Sequence, residues 1–292
     1  MRILETIRLI RPKQYIKNLF VIAPIFFSGL ILDFELLIRC LLAFVLFSVA
    51  ASSIYILNDI MDINEDKRHP EKKNRPIASG AISIKIAKIY FLVFMVMALL
   101  GSYYVSTNLT LVLGCYILIN ILYSLKLKNY SIVDISLIAI GFVLRIFAGS
   151  AIIKTMPSMW IILMTFLLAL FLALAKRRDD ILLSSKGLEV RKNIQGYNLQ
   201  FVNSGMNIMA GVVIVSYILY TVSAEEALEI GSDYLYLTVF FVIMGILRYL
   251  QIAFVESNSG SPTKLLWHDR FLQFVILIWL LSFGFIIYGA QF

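Results

Sequence analysis

The stretch LLIRCLLAFVLFSVAASSIYILNDIMDINEDKRHPEKKNRP, residues 36–76, decides what kind of fold this chain can adopt. Residues 36–57 carry a single charge, Arg39. A run of that length spans roughly 30 Å of hydrocarbon as an α-helix, the only single-segment structure that satisfies its own backbone in lipid. The helix then delivers Asn58, Asp59, Asp62 and Asp66, followed by Lys67, Arg68, Lys72, Lys73 and Arg75. If it continues through Asp66, the three carboxylates stand at i, i+3 and i+7, within about 60° on one face, with Asn58 about 40° further round. Carboxylates so aligned repel one another unless a cation neutralises them. Oxygen donors without His or Cys favour Mg²⁺, with Mn²⁺ as the alternative, over zinc. Acid followed by base suits a metal–diphosphate complex, with carboxylates on the metal and cations on the outer oxygens. A solvated loop obeying the positive-inside rule is the plainer reading. It accounts for the lysines, but not for Asp59 and Asp62 at the membrane surface.

The rest of the chain extends this pattern. Of the 292 residues, 60% are hydrophobic and only 15% charged, against about 25% charged in a soluble domain. The apolar runs predict an all-α, polytopic membrane protein with about nine spans, near 17–32, 36–57, 84–105, 109–125, 132–153, 157–175, 205–223, 234–255 and 271–290. The first is short and interrupted by Pro24. All but three of the 26 Lys and Arg (Arg39, Arg145 and Lys154) fall on one side of this scheme. The positive-inside rule then puts the N-terminus in the cytoplasm and the C-terminus outside. The start, MRILETIRLIRPKQYIKN, is basic and interrupted, unlike a cleavable signal peptide. One domain, 1–292, is expected, with cytoplasmic active-site loops at about 58–83, 126–131, 176–204 and 256–270. Cys40 and Cys115 lie in apolar runs, and His69 and His268 stand alone, which disfavours zinc, disulfide and His-based chemistry.

At the acidic motif the sequence resembles the UbiA superfamily of intramembrane prenyltransferases. The matching residues are Asn58, Asp59, Asp62 and Asp66, then Arg75-Pro76 and Ala78-Ser79-Gly80. It resembles one branch more closely, the decaprenyl-phosphate-like polyprenyl-phosphate phosphoribosyltransferases. That similarity is carried by RPKQYIKN (11–18), YSLKLKNYSIVDI (123–135), GFVLRIFAG (141–149), AKRRDDI (175–181), RKNIQGY (191–197) and SPTKLLWHDR (261–270). Where prenyl-diphosphate-using relatives carry a second acidic DxxxD motif, this chain reads Lys176-Arg177-Arg178-Asp179-Asp180. The substitution suits a substrate richer in phosphate than a single diphosphate, such as phosphoribosyl diphosphate. A generic basic anchor after span six remains the alternative.

Span five places Asp134, Gly141 and Arg145 on one helical face, within about 40°. Arg145 lies roughly 16 Å deeper than Asp134 at the helical rise. A cation at that depth faces a cavity or a partner. A lipid phosphate, a polar substrate wall and a buried carboxylate all remain open. Tyr123 and Lys126 share a helical edge near the same mouth, where Tyr123 also suits an interfacial anchor. Lys17 and Asn18 are placed at phosphates, whereas Lys13 is as well suited to snorkelling.

The resemblance implies transfer of a 5-phosphoribosyl group from phosphoribosyl diphosphate to a polyprenyl phosphate, with release of diphosphate, for cell-envelope glycan (arabinan, cell-wall) donor synthesis. Asn58, Asp59, Asp62 and Asp66 would hold the metal, and Asp59, Asp62 and Asp66 would be catalytic. The substrates would meet Lys17, Asn18, Asn58, Arg68, Lys73, Arg75, Tyr123, Lys126, Lys128, Asp134, Arg145, Lys176, Arg177, Asp180, Arg191 and Tyr197. The site would open on the cytoplasmic side of a bacterial or archaeal inner membrane. No nucleic-acid partner is expected, and a homo-oligomer is compatible. Two rivals stand: prenyl transfer from a prenyl diphosphate to an aromatic acceptor, and transport of phosphate or a lipid phosphate.

Overall fold

Polar caps start the helices that the apolar runs then carry across the bundle. Asp33, Ser83, Ser106 and Asn198 each accept a hydrogen bond from the backbone N–H three residues on, satisfying a donor the helix itself cannot. The computed structural model describes residues 2–68, 72–185, 196–223, 234–256 and 262–289. Its elements are α1 (Arg2–Ile10), a 3₁₀ segment (Pro12–Val21), α2 (Ala23–Phe27), α3 (Phe34–Met61), α4 (Ile63–Arg68), α5 (Ile84–Val105) and α6 (Thr107–Leu125). There follow α7 (Val133–Ile153), α8 (Met159–Ser185), α9 (Leu199–Thr221), α10 (Val239–Phe254), α11 (Pro262–His268) and α12 (Arg270–Gly289). A 3₁₀ turn, Leu235–Thr238, leads into α10. No strand occurs among the described residues.

Eight helices are long and apolar enough to cross a membrane, and the chain is a multi-pass membrane protein. On α5, Ile89, Val93, Val96 and Leu100 are exposed at helical spacing, a surface suited to lipid. Association in lipid gains little from burying apolar surface and depends on close packing. The packed face of α3 shows this. Cys40, Ala43, Phe47, Ala50 and Ile54 recur every three or four residues, and all are buried. They form one core with α6 and α7, while Phe171 and Leu174 of α8, Met206 of α9 and Ile252 of α10 form a second. Helix α7 serves both, with Ile135 in the second and Ala148 and Ile152 in the first.

The expected first span differs. It is not a continuous α-helix but the 3₁₀ segment followed by the five-residue α2. Arg11 has left-handed backbone, φ 54° and ψ 61°, and Pro12 and Pro24 cannot donate to an α-helical ladder. A 3₁₀ helix rises about 2.0 Å per residue, against about 1.5 Å for an α-helix, so it covers distance economically. This segment still runs from end to end of the bundle. Arg11 meets Asp59 near the C-terminal end of α3, whereas the Tyr288 hydroxyl, near the C-terminal end of α12, donates to Phe26 O at 2.7 Å.

Gly149 on α7 permits the segment's close approach, since a Cβ there would lie 2.0 Å from Val21 O and 3.0 Å from Pro24. Gly149→Ala is therefore expected to cost about 2 kcal/mol by overpacking. A thermal midpoint in detergent several degrees below wild type would register it, and an unchanged midpoint would refute the close approach.

Candidate active site

Helix α3 carries the acidic motif to its end. Asp62 is a turn residue, φ −95° and ψ 10°, between α3 and α4, so the expected unbroken helix is interrupted there. The register survives because Asp62 N–H donates to Asn58 O at 2.9 Å and Asp66 N–H to Asp62 O at 2.8 Å. Each carboxylate then meets a cation. Asp59 pairs with Arg11, and Nη1 of Arg75 bridges Asp59 Oδ1 at 3.0 Å and Asp66 Oδ2 at 2.6 Å. Asp62 pairs with Lys128, which arrives from the α6–α7 connection. Asp59 and Asp66 are buried, while the Asp62 side chain keeps 16% exposure. The Asn58 amide oxygen accepts from Ser124 of α6 at 2.6 Å, so one of its lone pairs is already engaged.

These groups suit a hard dication bound together with a phosphate. The donors are all oxygen, and Asp59 Oδ2 is buried without a hydrogen-bond partner, which is costly unless something else completes it. Among the described residues no three His, Cys, Asp or Glu side chains converge on one point; the motif carboxylates are turned to Arg11, Arg75 and Lys128. Asp59, Asp62 and Asp66 are the residues that would hold Mg²⁺.

A second polar cluster lies where α7, α8 and the segment before α9 meet. Arg177 Nε donates to Asp134 at 2.8 Å and its Nη1 to Asp180 at 2.7 Å. The Tyr197 hydroxyl donates to Asp134 at 2.6 Å. Asp134 and Arg177 are sealed from solvent, so desolvation favours their mutual pairing over contact with a mobile ligand. This corrects the expectation of positive charge offered to substrate at two of the three span-six cations, Arg177 and Arg178. Arg177 is neutralised by two carboxylates, and Arg178 points inward, donating to Asn203 at 3.0 Å beneath the Phe254 ring. Asp134, Arg177, Asp180 and Tyr197 bind one another.

Arg145 resolves differently again. Its Nε donates to Asn18 at 2.8 Å, its Nη1 to Gly141 O at 2.6 Å and its Nη2 to Tyr116 Oη at 3.4 Å. The guanidinium also lies 5.0–5.2 Å from the ring centres of Phe47, Tyr116 and Phe142. No carboxylate pairs with it among the described residues, so the buried-carboxylate alternative falls and an aromatic box with amide acceptors takes its place. Asn18 is buried between Arg145 and Ser48, whose hydroxyl accepts from it at 2.9 Å. Asp134 shares the helix with Arg145 but pairs elsewhere.

Lys17 and Tyr123 are half-buried, as is Lys176; Arg68, Lys73 and Lys126 are exposed at the same end of the bundle as the motif. Arg191 lies outside the described residues. Sequence reasoning missed Arg11, which packs over Tyr55 at 5.4 Å as well as on Asp59. Its signals were its place at the head of the matching stretch RPKQYIKN (11–18) and a cation directly before Pro12.

Comparison with known proteins agrees with this architecture. The UbiA prenyltransferase family model matches residues 19–275. The chain is 31% identical to a decaprenyl-phosphate phosphoribosyltransferase of Mycolicibacterium smegmatis, over 97% of this chain and 92% of that one. It is 33% identical to the decaprenyl-phosphate phosphoribosyltransferase of Corynebacterium glutamicum, over 94% and 83%. In structure it resembles a UbiA homolog from Archaeoglobus fulgidus bound to DMAPP and Mg²⁺, with TM-score 0.72, 19% identity, and 97% and 98% of the two chains covered. The fold, the whole-length match and the acidic motif agree: this chain belongs to the UbiA prenyltransferase family.

Proposed function

We propose that the protein transfers a 5-phosphoribosyl group from phosphoribosyl diphosphate to a polyprenyl phosphate at the cytoplasmic face of a bacterial or archaeal inner membrane. The observation that carries this reading is the pairing of the three motif carboxylates with Arg11, Arg75 and Lys128. Acid and base already stand in contact where a metal–diphosphate would be shared between them. Relatives named for this transfer, similar over nearly the whole chain, support the choice of substrate. The second cluster supports it too. After span six, where a second acidic motif would serve a prenyl diphosphate, Asp180 is occupied by Arg177, which also holds Asp134 of α7.

In this mechanism Asp59, Asp62 and Asp66 would hold Mg²⁺, which when bound would offset charge on the departing diphosphate. Arg75 and Lys128, released from the carboxylates, donate to diphosphate oxygens. The C1–O bond to diphosphate breaks, its electron pair leaves with diphosphate, and a lipid phosphate oxygen forms the new bond to C1. The lipid phosphate is already ionised near pH 7, so no residue has to abstract its proton. The product would serve as a phosphoribosyl lipid for cell-envelope glycan synthesis.

The test uses membranes carrying the protein, ¹⁴C-labelled phosphoribosyl diphosphate and decaprenyl phosphate. Labelled lipid is expected to form, to vanish with EDTA, and to return on adding excess Mg²⁺. Prenylation of hydroxybenzoate from a prenyl diphosphate, without ribose-phosphate transfer, would replace this reading with the aromatic prenyltransferase.

A further inference from the structure

The connection between α6 and α7 brings Lys128 to Asp62, and its geometry is tied to the start of α7. Tyr130 N–H donates to Leu127 O at 3.2 Å, closing the 3₁₀ turn that contains Lys128, and Tyr130 O accepts from Asp134 N–H at 3.0 Å. Between them Ile132 has φ 69° and ψ −48°. That region is rarely adopted by a β-branched residue and persists only where surrounding structure imposes it.

Two neighbours pack on this turn. The Ile132 N–H donates to the Tyr197 hydroxyl at 2.7 Å, and that hydroxyl donates to Asp134 at 2.6 Å. Burial, reinforced by the bond to Asp134, pushes the Tyr197 phenol above its usual range, so it stays protonated as the donor. Gly196 is the second neighbour. A Cβ there would lie 1.9 Å from Ser131 Oγ and 2.8 Å from Ser131 Cβ. Only glycine lets the two segments come so close.

We infer that Gly196 and Tyr197 are positioning residues, which hold the strained Ile132 turn and so keep Lys128 set against Asp62. Tyr197 acts through the turn rather than by touching substrate. The consequence for chemistry rests on the proposed role of Asp62 and Lys128 at a metal–diphosphate. The hydrogen-bonded turn itself does not.

Tyr197→Phe removes the hydroxyl and keeps the ring. Amide exchange across 131–134 is expected to quicken by about tenfold or more as local opening becomes easier. Mn²⁺ affinity in the presence of inorganic diphosphate, followed by electron paramagnetic resonance, is expected to weaken about tenfold, because Lys128 would no longer be held where it can donate to the diphosphate bound with the metal. Adding Ile132→Gly to Tyr197→Phe should restore Mn²⁺ affinity to within about threefold of wild type, because glycine holds positive φ without strain. A merely structural role predicts the reverse, with glycine loosening the double variant further. Unchanged Mn²⁺ affinity in Tyr197→Phe, or a double variant no better than the single one, overturns the inference.

Should Tyr197→Phe not accumulate folded, Gly196→Ala puts the same question through the clash with Ser131. Weakened Mn²⁺ affinity, relieved by Ser131→Gly, supports the inference, and unchanged affinity overturns it. If wild-type protein moves no ribose phosphate, the functional reading fails. Amide exchange and Mn²⁺–diphosphate binding still decide the positioning role.

Discussion

Asp62→Asn is expected to lower turnover by about a thousandfold or more, equivalent to roughly 4 kcal/mol of lost transition-state stabilisation. The thermal midpoint should stay close to that of wild type. The size follows from charge: the amide keeps the shape and one oxygen but removes the anion that would hold the metal. The stability follows from exposure. Asp62 retains 16% exposure, against 2–3% for Asp59 and Asp66, and it meets one cation, so water can reach Lys128 once its partner is gone and the cost to stability is smaller than at the sealed carboxylates. Asp59 and Asp66 are poorer probes. Arg75 bridges both, and Asp59 also holds Arg11; removing one carboxylate from a buried pair costs about 3–5 kcal/mol in stability alone. Steady-state rates across a Mg²⁺ titration provide the measurement, alongside a melting curve. Wild-type turnover of Asp62→Asn at saturating Mg²⁺ would remove Asp62 from the metal site.

Arg145→Ala should instead damage the fold first. The guanidinium lies among three aromatic rings and donates to Asn18 and to Gly141 O. Truncation leaves a void and strips acceptors of their donors, a combined loss of about 3–5 kcal/mol. Arg145→Lys keeps the charge but lacks the planar fork that stacks on rings and serves several acceptors at once, so it should recover less than half of that loss. Thermal midpoints of the two variants in detergent test this ordering. Lysine performing as well as arginine would mean that charge alone matters at this position. Activity of either variant is informative only once folded protein is shown.

Much of this molecule is legible without coordinates, for reasons of length and charge. Eight apolar runs correspond to eight helices because lipid admits no other way to satisfy the backbone of a single spanning segment. The first run misled because its residues are apolar enough while Arg11, Pro12 and Pro24 break the α-helical ladder. Pro24 was visible as an interruption, but hydropathy does not say that the segment winds as a 3₁₀ helix. The span-six loop misled in another way. Lys176-Arg177-Arg178 reads as free positive charge, yet Arg177 is occupied by Asp134, a residue 43 positions earlier.

The acidic stretch Asn58–Asp66 illustrates the division most clearly. Its spacing alone placed three carboxylates on one helical stripe and fixed the chemistry as oxygen donors near abundant base, because helical periodicity is local. Which base meets which acid was settled only by tertiary packing. Arg11 comes from before the first crossing, Arg75 from beyond the acidic turn, and Lys128 from the α6–α7 connection. Sequence separation carries no information about those distances, and a pairing between remote charges exists only once the helices between them have packed.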